Sequence, residues 1–207
     1  MSDPWRVETE AEVEAILGRP SDLVRTKIFD RVDEYAAAFL ARSPLMMMAT
    51  SDAGGRLDVS PKGDAPGFVL LEDDRTLVVP ERIGNRLAFG FRNILANPRV
   101  ALIFVVPGTT ETLRIAGTAE ITRDPAVLER LAARGKPALL ATRVTVEECF
   151  FHCGKAFLRS TLWKPESWPK DFRVNLGRQL AAKMGGGEDL VEKIEEGLVE
   201  SYTKRLY

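Results

Sequence analysis

Histidine occurs once in this 207-residue chain and cysteine only twice, and all three fall together at Cys149, His152 and Cys153. That scarcity argues against a structural zinc centre, which needs four ligands in a tetrahedral set. In an extended strand, moreover, the two cysteines face one side and His152 the other. The same geometry separates the cysteine Cα atoms by roughly 13 Å, beyond the ~7 Å that a disulfide spans. Two free thiols fit a reducing compartment, and His152 reads as a core histidine in preference to a ring-contacting group or a general acid.

Long apolar runs are also missing, so no segment reaches the ~20 residues of a membrane helix. The opening MSDPWRVETEAE is acidic and lacks the basic start and apolar stretch of a secretory signal, which leads us to expect a cytoplasmic protein with no membrane partner. Nor is there an excess of either charge. With 29 basic and 30 acidic side chains the formal net charge is −1, leaving no whole-chain footprint for nucleic acid. Any anion site must be local.

What is present is enough apolar material, 45% of residues, for one sizeable core, and the length favours a single domain with peripheral helices. Thr9 and Glu12 form a capping-box pattern for a helix over 10–17 that stops at Gly18. Ile28, Val32, Tyr35, Phe39 and Leu40 recur at helical spacing and predict one long helix over 21–42. Strands and turns follow: 45–51 returning as 56–62, and 68–71 returning as 76–80 across Asp73 and Asp74. A helix is expected over 84–96, then strands over 100–106 and 113–122, and a short helix opened by Asp124 and Pro125. The run 142–152 reads as a further strand, and 172–184 and 188–202 as helices. Met46, Met47 and Met48 read as adaptable core packing. Short strands joined by hairpins argue for an antiparallel barrel.

Three stretches carry candidate ligand groups. Asp58-Val59-Ser60-Pro61-Lys62 ends a strand in a proline, which cannot donate to a ladder, and a cation. Lys62 is either a point charge for a phosphate or a solvated strand-end lysine. Pro80-Glu81-Arg82-Ile83-Gly84-Asn85-Arg86 runs toward a helix start, where free N–H groups and two forked guanidinium groups favour an anion; the plain alternative is arginines paired with Glu81 or solvent. Thr112 and Arg114 share one strand face with Ala116, and Arg114 either contacts a heterocycle or pairs across strands.

In this order the motifs resemble the pyridoxamine 5′-phosphate oxidase family of flavin-binding split barrels, best over 44–122 and more loosely through Trp163. The stretch FFHCGKAFLRSTLW (150–163) is similar to a less characterised branch. The resemblance implies a mainly β fold with flanking helices, a six-stranded antiparallel split β-barrel over 44–163. Helices at 1–43 would pack on it, and a helical segment would follow at 164–207. It implies FMN as cofactor, a homodimer with the cofactor site at the interface, and oxidoreductase chemistry on a small molecule. Lys62, Arg82 and Arg86 would hold the phosphate, with Asn85 where the family usually has arginine. Pro80 and Glu81 would lie near the ring edge, backbone donors near Val59 to Pro61 would tune the ring, and Thr112 would replace a glutamine, with Arg114 near the pyrimidine edge. The arginine that opens the family's first motif falls on Leu57, with Arg56 one residue away. Alternatives are a deazaflavin- or haem-using barrel and a non-catalytic flavin-binding dimer.

Overall fold

The computed structural model describes residue 3 and residues 5–207. Helix α1 (Glu10–Leu17) begins as its sequence dictates. The Thr9 hydroxyl accepts from the Glu12 N–H, and the Glu12 carboxylate accepts from the Thr9 N–H at 2.9 Å. This closes a reciprocal cap, yet neither α1 nor α2 (Asp22–Thr26) buries a residue.

The long helix expected over 21–42 is two short ones. Between α2 and α3 (Glu34–Leu40) the backbone is claimed by distant partners. Phe29 exchanges both its backbone hydrogen bonds with Cys149, and the Val32 N–H donates to Asp74 O at 2.7 Å. Asp33 then restarts the helix by accepting from the Ala36 N–H at 2.8 Å, a standard N-cap. Helix α3 alone of the three packs inward, through Ala36 and Leu40.

The body is one antiparallel sheet of β1 (Leu45–Ser51), β2 (Leu57–Gly63), β3 (Leu70–Asp73), β4 (Thr76–Glu81), β5 (Arg99–Val105), β6 (Thr112–Thr122) and β7 (Leu140–His152), in the order β2-β1-β5-β6-β7-β4-β3. It has seven strands where six were expected, and it is not closed. The four-residue β3 pairs with β4 as a true edge strand, steadied by Glu72, which accepts from Arg143 of β7 at 2.9 Å. Alternation along β1, β5, β6 and β7 sends Met46, Met48, Leu102, Phe104, Leu113, Ile115, Val144 and Val146 into one core, as period-two patterning requires. The register of β6 on β7 shifts between Ala116 and Gly117. At Gly117 a Cβ would be driven into the carbonyl oxygen of Thr145, so only glycine permits this bulge.

Helix α4 (Phe89–Ala96) crosses between β4 and β5 and starts five residues later than expected. Arg86 and Ala88 adopt positive φ, 60° and 53°, and the Leu87 N–H bonds the Asn85 side chain at 3.0 Å, a local turn that competes with helix. Helix α5 (Pro125–Arg130) follows β6, and α6 (Lys155–Ser160) follows β7. Helix α7 (Leu176–Lys183) waits for its cap at Asn175, shortening the expected 172–184, and α8 (Glu188–Lys204) runs alongside it.

Candidate functional site

Along β2 the residues Asp58, Ser60 and Lys62 are half-buried while their neighbours are exposed, so period two turns these three toward the body. They form one wall of a cavity of about 360 Å³, within the range of small-molecule sites. Glu81 from the end of β4, Asn85, and Leu87 to Phe91 form the opposite side, with Met48, Ile94 and Thr142 also in the lining. Helix α4 is anchored there by a buried hydrogen bond from Asn93 Nδ2 to Thr50 Oγ1, 3.0 Å long.

The first turn of α4 faces the cavity without a side-chain cap. Its leading N–H groups therefore have no partner within the helix and carry the positive end of its dipole. That turn lies beside β2: a Cβ added at Gly90 would make ordinary contacts, 3.7 Å from Asp58 Oδ2 and 4.0 Å from Ser60 Oγ. Two cations border the same turn. The Arg56 guanidinium lies 4.9 Å from the Phe89 ring centroid and Lys62 Nζ 5.5 Å from that of Phe91.

Side chains also bridge β2 to β4 across the gap in the sheet. Lys62 pairs with Glu81, and Arg82 Nε donates to Asp64 Oδ2 at 2.8 Å while its Nη2 donates to Leu131 O. Asp64 is almost wholly buried. Burial opposes its ionisation, but hydrogen bonds from the Tyr207 hydroxyl, the Ala65 N–H and Arg82 outweigh it and hold the carboxyl below its usual value.

Of the residues singled out from sequence, the cavity gathers Asp58, Val59, Ser60, Pro61, Lys62, Glu81 and Asn85. Pro80 and Arg82 line instead a neighbouring cavity of about 340 Å³, which shares Pro61, Lys62 and Glu81 with the first. Arg86 is exposed and lines neither. Thr112 is buried at the start of β6, and Arg114 lies on the outer sheet face, 5.2 Å from the Phe150 ring. Within one chain, then, the three expected phosphate cations do not converge: two are spent on carboxylates and the third is in solvent. His152 is exposed at the end of β7, not in the core. Cys149 is buried, its thiol pushed up to about 12 by burial with Asp33 adding to it, whereas Cys153 is exposed. The helix start expected to offer free N–H groups at 84 lies at Phe89 instead, Arg56, noted only as one residue off the family's motif, borders it, and Thr142 was not singled out.

The family model described as pyridoxamine 5′-phosphate oxidase matches residues 32–153, from the approach to α3 to just past β7. No curated protein matches the chain. Among solved structures, HupZ of Group A Streptococcus is 24% identical over 58% of this chain and 93% of its own, with a TM-score of 0.48. A Lactobacillus delbrueckii protein named for pyridoxamine 5′-phosphate oxidase is 26% identical over 59% of this chain and 95% of its own, at 0.46. HutZ, the heme storage protein of Vibrio cholerae, is 16% identical over 59% and 94%, at 0.40. With TM-scores below 0.5, these likenesses bear no weight beside the family match.

Proposed function

The chain belongs to the pyridoxamine 5′-phosphate oxidase family, and on that premise we propose that it is a homodimeric, FMN-dependent oxidoreductase acting on a small molecule. One observation carries the reading: an uncapped helix start faces an edge strand across a cavity of about 360 Å³. Free N–H groups at a helix start are a ready phosphate cradle. The FMN phosphate would lie against the first turn of α4, with Arg56 beside it. Asp58 and Ser60 would accept from the ribityl hydroxyls, and Lys62 would stand at the ring end. β2 is an edge strand, so its outward backbone groups are available to the ring, except at Pro61, which has no N–H. When bound, FMN supplies two-electron redox chemistry; the chain supplies binding, orientation and charge.

The cavity is open on one side, and the sheet beside it is apolar. Leu57, Val59 and Ile103 are 75%, 64% and 39% exposed, an arrangement that marks an interaction surface. A second copy over this face would exclude water from the cavity and bring its own Arg114, which is exposed and paired in register with Ile103, toward the open side.

The test is cofactor uptake. Purified protein titrated with FMN, a deazaflavin and haem is expected to take FMN in preference, with sedimentation as a dimer. Arg56→Ala together with Lys62→Ala removes two charge-assisted contacts of about 1.5–3 kcal/mol each, so Kd is expected to rise by about two orders of magnitude or more. Preference for deazaflavin or haem, or an unchanged FMN Kd in the double variant, overturns the assignment. Anaerobic reduction of the bound flavin by a panel of donors then identifies the reductant.

A further inference from the structure

The second cavity, about 340 Å³, is separated from the first by the Lys62–Glu81 pair, and part of its wall is the segment beyond α8, Leu206 and Tyr207. Three separate contacts hold that segment in place. The Tyr207 hydroxyl donates to Asp64 Oδ1 at 2.6 Å, Lys136 Nζ donates to Tyr207 O at 2.7 Å, and the Arg134 guanidinium lies 4.7 Å from the Tyr207 ring centroid. Arg134 is presented by a tight turn in which it and Gly135 both have positive φ, 49° and 72°, with Ala133 and Lys136 exchanging backbone hydrogen bonds. A non-glycine residue in that region is held there at a cost, and here it serves to bring a cation onto the Tyr207 ring.

These contacts are all made by side chains or by one carbonyl, and none ties Leu206–Tyr207 into a strand or helix. The segment can lift without unpairing any secondary structure. We propose that Leu206–Tyr207 is a movable lid, latched by Tyr207, over a second compartment through which the reactant reaches the flavin. The Lys62–Glu81 pair is the partition between compartment and cofactor cavity. The passage rests on the FMN reading given above; the lid does not.

Two measurements separate them. Trypsin cuts after Arg205 only when the neighbouring residues are free, so Tyr207→Phe, which loses the bond to Asp64, is expected to speed cleavage at Arg205–Leu206 roughly tenfold, the order of one hydrogen bond to a charged group. Equal rates in the variant and the parent overturn the latch. Reduction of the FMN-loaded protein by dithionite, a small anionic reductant, then reads the passage. Tyr207→Ala is expected to accelerate it several-fold, and Gly84→Phe to slow it. Gly84 lines the compartment, a Cβ there meets nothing within 4 Å, and its φ is unstrained, so the phenyl ring fills space without forcing the backbone. Dithionite rates unchanged in both variants overturn the passage while leaving the latch to the tryptic result. Failure of the chain to take up FMN at all refutes the flavin reading and the passage with it, and the latch is again decided by trypsin alone.

Discussion

The sheet and the helices at either end of the chain are stabilised by different means. β1, β5, β6 and β7 bury alternate side chains, Met46, Phe104, Leu113 and Val144 among them, whereas α1 and α2 bury nothing and α8 buries only Val191. A helix such as α1 stands on its local cap and propensity, which for eight residues is a marginal basis in water. The strands stand on packing with partners far away in sequence. The difference teaches that buried packing is concentrated in the sheet, while α1, α2 and most of α8 are available for contacts outside this chain's own core.

The contrast is broken most strongly by opening the core. Phe104→Ala leaves a void in the core beneath β5 and is expected to cost about 3–5 kcal/mol in denaturant unfolding; a loss below 1 kcal/mol would show that the sheet is not where stability resides. Next comes the stitch between β2 and β4. Asp64→Asn leaves Arg82 without its carboxylate in a nearly buried position, with an expected loss of about 3 kcal/mol at neutral pH. Because the folded Asp64 carboxyl is held below its usual value, its contribution is present above the unfolded pKa and is lost as pH falls through the folded value. The parent should therefore show an acid-side decline in stability that the Asn variant lacks. The smallest effect is expected from removing residues 1–20, which contain α1: within about 0.5 kcal/mol of the parent. A larger loss would show that this arm packs against a second copy of the chain.

Features set by neighbours in sequence were legible, and those set by distant partners were not. Thr9 and Glu12 announced α1 because cap and capped group are three residues apart. The strands of both hairpins announced themselves through alternation and turn residues. The break in the long helix did not, since Phe29 turns away to pair with Cys149, and helical spacing carries no trace of a partner 120 residues on. The site shows the same division. Asp58, Ser60 and Lys62 could be grouped from sequence because one strand holds them on one face. The pairings of the expected phosphate cations were not legible, because Arg82 is bound by Asp64 and Leu131 and Lys62 by Glu81, all distant in sequence. Arg56 was passed over because a one-residue offset reverses a side chain within a strand, but it lies in the turn before β2, where that rule does not apply.

A barrel closed by amide ladders can widen only by breaking them. The sheet here is open, and β2 and β4 are joined by Lys62 with Glu81 and, one residue past each strand, by Asp64 with Arg82, so their spacing is set there by charges instead of by backbone. Ions or a charged guest can compete for those charges while every strand keeps its neighbours. The cavity of about 360 Å³, lined by Lys62 and Glu81 themselves, lies directly along this seam of charges.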